Sequence, residues 1–103
     1  MPEPRHQRGQ VCETILCEHL LRLGYWIFRP PAAQGPVDVI AINESGEVLM
    51  FDAKQDSARV NTGRKKRDRI YRGRTDVQKR LNVYIAYVNI ETRDVYCVPP
   101  LTV

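Results

Sequence analysis

The sequence predicts a mixed α/β fold, an α+β arrangement with helices packed on one mixed sheet, its elements running α-β-β-β-α-β-β. Three observations carry this. A helical apolar periodicity fills the first quarter of the chain. Two short apolar arms then flank a turn-forming stretch at 43–47, and two further apolar runs follow a polar, basic interruption. At 103 residues the chain makes one domain, 1–103, with room for a real core but none for a separate recognition module.

The first element is a helix over about 7–23. Cys12, Ile15, Leu16, Leu20 and Leu23 recur at helical spacing, His19 falls among them as a core histidine, and Gly24 stands just past the end as a stop. With Cys12 as reference, Glu13 lies about 100° round the helix, at the border of the apolar stripe, where it can face inward. Gly9, one turn earlier on that flank, leaves room for a close approach. The run YWIFR at 25–29 reads as a first strand, ended by Pro30 and Pro31.

The arms 37–42 and 48–53 form a β-hairpin. A three-residue loop of Glu44, Ser45 and Gly46, with Gly46 in the left-handed conformation, closes on Asn43 opposite Glu47. In that register Asp38 lies opposite Asp52, and Lys54 follows on the same face. A slip of one residue would separate Asp38 from the other two. Both faces are otherwise apolar, which predicts a central strand pair covered on each side. Opposed carboxylates in such a setting need a proton, a cation or a metal, and acidic oxygens suit Mg²⁺. The same spacing also fits an edge hairpin with a surface salt bridge.

Beyond Lys54 the pattern breaks into a basic loop at about 55–74. Thr75 is an N-cap for a short helix over 76–81 that presents Gln78, and the runs 83–88 and 95–98 are paired strands. The net charge of +4 hides an asymmetry, because ten basic residues between Arg59 and Arg80 face only Asp68 and Asp76. That local +8 is what a polyanion-binding surface needs, and Arg64, Lys65, Lys66, Arg67, Arg69, Arg72 and Arg74 are its candidate phosphate contacts. A solvated loop is the plainer alternative.

Several classes are excluded. No apolar run approaches a membrane span and the amino terminus has no signal-peptide core, so the expectation is an intracellular, cytoplasmic protein. Cys12, Cys17 and Cys97 are odd in number and lack C-x-x-C spacing, which argues for buried free thiols rather than disulfides or zinc. His6 and His19 are too scattered to anchor a metal.

The helical RGQVCETILCEHLLRLGYWIFR, then GPVDVIA, then EVLMFDAK, resembles the PD-(D/E)XK nuclease superfamily, especially small single-domain members such as archaeal-type Holliday junction resolvases and VRR-type nucleases. The resemblance covers about half the chain and implies a restriction-endonuclease-like core. It assigns Glu13, Asp38, Asp52 and Lys54 to the catalytic site, with Gln78 supplied by the later helix. Pro36 stands one residue further from the aspartate than in the family's Pro-Asp pair, and Asn82 stands where one branch has a tyrosine. The resemblance further implies Mg²⁺, with Mn²⁺ as a substitute, held by Asp38, Asp52, the Ala53 backbone carbonyl and Glu13. The implied activity is endonucleolytic hydrolysis of DNA phosphodiesters, with junctions and branched DNA among the candidate substrates. Paired cuts then call for a homodimer. A non-cleaving nucleic-acid-binding module and an RNA-directed nuclease are the alternatives.

Overall fold

The structure, a computed structural model, describes residues 5–31, 35–56 and 73–101. Its elements are α1 (Arg5–Arg22), β1 (Trp26–Phe28), β2 (Val39–Ile42), β3 (Val48–Gln55), α2 (Asp76–Arg80), β4 (Val83–Val88) and β5 (Val95–Val98). The five strands form one sheet in the order β1-β2-β3-β4-β5, in which only the β3-β4 pair is parallel. The predicted class and element order are therefore those observed.

α1 ends where glycine permits it. Gly24, at φ +94°, donates its N–H to Leu21 at 3.0 Å while Tyr25 donates to Leu20 at 3.1 Å, the paired bonds of a Schellman stop. The reversal delivers the chain directly into β1. α1 then lies across one sheet face, where Cys12, Ile15, Leu16 and Leu20 pack on Val39, Ala41, Phe51, Ala86 and Val88. Burial of this apolar surface is the main stabilising contribution to the fold.

The hairpin has the predicted register. Val39 pairs with Phe51, Ile40 with Met50 and Ile42 with Val48, so every pair continues the alignment that sets Asn43 against Glu47. The Asn43 N–H donates to the Glu47 carbonyl at 3.1 Å, and Gly46 takes φ +81°. A Cβ at Gly46 would meet nothing within 4 Å, so the cost of a side chain there is conformational alone. Gly46→Ala is expected to lower stability by about 1 kcal/mol in urea denaturation, through the left-handed backbone it must hold.

Three expectations are corrected. His19 is exposed, not a core residue, because it faces the β4-β5 turn rather than a strand. It lines an open groove there with Ile15, Glu18, Arg22, Thr92 and Arg93. Leu23 is likewise exposed, since it lies in the turn after α1. The hairpin is not covered on both sides among the described residues: α2, at five residues, is too short to roof the face opposite α1, and Val48 is left exposed. A Cβ at Gly9 would meet nothing within 4 Å, so no described residue makes the close approach it leaves room for. Most of the basic loop, including Arg64, Lys65, Lys66, Arg67, Arg69 and Arg72, lies outside the described residues.

Candidate active site

Asp38 stands one residue before β2. Its backbone N–H donates to the Phe51 carbonyl at 2.8 Å, so Asp38 and Val39 both oppose Phe51 and the ladder departs from its register at this point, while the Asp38 carboxyl shares a hydrogen bond with that of Asp52. One Asp38 carboxylate oxygen accepts the Ala53 N–H at 3.0 Å. Lys54, two residues beyond Asp52 on the same face, brings its Nζ to 3.2 Å from Asp52 Oδ2. The two carboxylates and the ammonium thus converge as the turn geometry predicts.

The carboxylates strain against their surroundings. Burial, more than anything else, pushes the Asp38 carboxyl up to about 6; a hydrogen bond shared with Asp52 and the negative charges of Asp52 and Glu13 act in the same direction, against the Ala53 N–H. The fold therefore favours protonated Asp38. This contribution is present in full below the ordinary carboxyl range and is lost as pH rises through about 6, leaving an unfavourable carboxylate above it. Asp38→Asn is expected to gain about 1 kcal/mol over the parent at pH 8, after discounting for partial solvation, and to gain nothing at pH 3.5. Urea denaturation at the two pH values checks the sign.

Gln78 is the best-anchored member. α2 opens with a capping box in which the Gln78 N–H donates to Thr75 Oγ1 at 3.1 Å and the Thr75 N–H donates to Gln78 Oε1 at 3.0 Å. This frees the other end of the side chain. Gln78 Nε2 donates to Asp52 Oδ2 at 2.8 Å and to the Pro36 carbonyl at 3.1 Å, which ties α2 to β3 and to the segment leading into Asp38. Gln78 is the buried polar side chain among the described residues, and both of its side-chain polar atoms have partners.

Glu13 is placed differently. It projects from α1 toward this end of the sheet, close enough for its charge to reach Asp38, yet its carboxylate lies 3.5 Å from the Arg29 guanidinium. Arg29 also hydrogen-bonds Cys17, partly offsetting the rise that burial imposes on that thiol. Among the described residues no three His, Cys, Asp or Glu groups stand close enough to cage a metal ion. Arg74 turns its guanidinium to the Val83 carbonyl, at 3.5 Å. Sequence reasoning missed Arg29, for which no local pattern speaks, and the structural role of Thr75-x-x-Gln78, which the capping-box spacing could have revealed. Cys12, Cys17 and Cys97 form no disulfide, but only Cys12 is buried; Cys17 and Cys97 are partly exposed, which corrects the expectation of three buried thiols, and burial pushes Cys97 up to about 11.

No protein-family model matches the chain, and no curated protein matches it. Among solved structures, a bacterial homing endonuclease, I-Ssp6803I, is similar over 92% of this chain and 68% of its own, with a TM-score of 0.62 and 17% identity. The two share a fold. At that identity the likeness concerns the arrangement of helices and strands, which here sets Asp52 on the central strand β3 and Asp38 at the entry to β2. No described helix is long and apolar enough to cross a membrane.

Proposed function

We propose that this chain is a metal-dependent endonuclease of the PD-(D/E)XK kind that hydrolyses DNA phosphodiesters. The observation that carries the reading is the convergence of Asp38, Asp52 and Lys54 on one sheet face, with Gln78 locking Asp52 from a second element. The shared nuclease-like fold and the local +8 of the segment 59–80 support it.

The donor set fits Mg²⁺. Two neighbouring carboxylates that resist joint ionisation are relieved by a divalent cation, and Mg²⁺ binds through one or two carboxylates completed by water and phosphate rather than through a full protein cage. Asp38, Asp52 and the Ala53 carbonyl would hold it, with Glu13 contributing once freed from Arg29. A bound Mg²⁺ supplies Lewis-acid polarisation of a phosphodiester and a lowered pKa for an attacking water. The remaining work falls to the chain itself. Lys54 offers a positive charge and a proton donor where charge accumulates on the phosphate, Gln78 holds the Asp52 carboxylate in one orientation, and Asp38 gives up its proton as pH passes about 6. Basic side chains of 59–80 would grip backbone phosphates, which positions the duplex without reading its sequence.

The test is incubation of the purified chain with branched, nicked, duplex and single-stranded DNA and with RNA, in Mg²⁺ or EDTA. Metal-dependent cleavage of DNA supports the reading, and the preferred substrate names the subclass. Binding without cleavage in any metal overturns it in favour of a nucleic-acid-binding module.

A further inference from the structure

The sheet has unequal faces. α1, of 18 residues, buries the centre of one, while α2, of five, covers only part of the other. On that second face two cross-strand rows remain open, Trp26-Ile42-Val48 and Phe28-Ile40-Met50. Trp26 is 56% exposed, Phe28 52% and Val48 53%, and Ile40, Ile42 and Met50 are half-buried between them. Val77 and Leu81 of α2 are exposed at its border.

The area is large for a chain of this size. Half-exposed Trp26 and Phe28 leave roughly 200 Å² between them, since such rings carry about 150–250 Å² each. With the four aliphatic side chains the patch reaches about 400 Å², within the ~300–600 Å² range in which the largest patches of monomers are often functional. It is also about half of the ~800 Å² that each partner buries in a stable complex, a fitting share for an apolar centre inside a polar rim.

Its chemistry selects the occupant. Neither row carries a charged side chain, in a chain in which 27% of residues are charged. A polyanion needs cations along its track, and this track has none. The segment 57–72 is also a poor cover, having seven basic residues and only Val60, Ile70 and Tyr71 as large apolar ones. A second copy presents the same apolar rows and meets them by a twofold axis without any further binding motif. Along β3 the Trp26 row, at Val48, lies about 14 Å from Asp52, so contact centred there leaves both carboxylate pairs at the rim.

We infer that the face formed by Trp26, Phe28, Ile40, Ile42, Val48 and Met50 is the surface through which two copies of this chain associate. This deepens, and for its purpose rests on, the nuclease reading: one site cuts one strand, and the second copy brings the second site. Sedimentation velocity across a wide concentration range, with circular dichroism as a check on folding, tests it. The parent and Leu21→Glu, which alters an exposed position on α1, should sediment at two-chain mass; Trp26→Glu and Phe28→Glu should sediment as folded single chains. Trp26→Ala, which adds no charge, should weaken association at least about tenfold. On duplex DNA the parent should cut both strands and Trp26→Glu should nick one. A single-chain parent at every concentration, two-chain mass in both glutamate variants, or equal dissociation by Leu21→Glu overturns the assignment. So does loss of DNA binding by Trp26→Ala at unchanged mass, which would make the face a nucleic-acid surface. Absence of cleavage by every form would remove the nuclease reading while the mass comparison still judged the surface.

Discussion

Asp52→Asn and Lys54→Ala are each expected to lower Mg²⁺-dependent DNA cleavage by about 10³-fold or more, with the fold retained. Asp52 is the hub of the site, taking the Gln78 amide at 2.8 Å and the Lys54 ammonium at 3.2 Å through one oxygen. The amide in Asp52→Asn would keep the shape but lose the charge that a cation needs, and removing one positioned electrostatic group from a site of this type typically costs about 10²- to 10³-fold or more. Stability should change little by comparison: in Asp52→Asn the lost ion pair is offset by relief of the repulsion between Asp38 and Asp52, and Lys54→Ala removes one partly exposed ion pair, worth about 1 kcal/mol. A gel assay of initial cleavage rates, set beside urea denaturation of the same preparations, separates the two effects. Loss of activity in step with loss of folding would argue that the cluster is structural.

Phe51→Ala is expected to cost about 3–5 kcal/mol, the largest effect on stability predicted for a single core position here. Phe51 is fully buried on the central strand, faces Val39 across the hairpin, and places its ring 5.7 Å from that of Tyr84 on β4. Its neighbour in sequence is Asp52, so the apolar anchor on one face holds the carboxylate on the other. Urea denaturation measures the loss directly. A change below about 1 kcal/mol would show that the sheet collapses around the cavity far more easily than cores of this packing do.

Much of the site was legible because β structure alternates with a period of two. Once Gly46 defined a three-residue loop, a common face for Asp38, Asp52 and Lys54 followed from arithmetic on residue numbers; the observed register from Val39-Phe51 to Ile42-Val48 is the one that turn implies, and Asp38, just outside the ladder, still meets Asp52 through its carboxyl. Gln78 was legible as a helix residue next to an N-cap, but the two-ended role of its side chain depends on how α2 is carried back to β3, which no local pattern encodes. The Arg29-Glu13 pair was hidden for the same reason, since β1 and α1 meet only in the folded chain. His19 shows the limit of periodicity. Its angle on the helix matches Cys12, yet what lies beneath it is a turn, and angle says nothing about how far the opposing sheet extends. The open face of the hairpin failed in the same way: apolar residues on both sides of a strand call for a cover without saying whether it comes from the same chain.

Direct titration of Mn²⁺ into the chain, with a phosphorothioate duplex present so that no turnover intervenes, tests the central claim that the Asp38-Asp52 pair is a metal centre. At pH 8 the parent should bind the ion saturably, and binding should be lost in an Asp38→Asn, Asp52→Asn double variant that remains folded. Equal binding by the parent and the double variant would contradict the account and leave the two carboxylates as a structural pair.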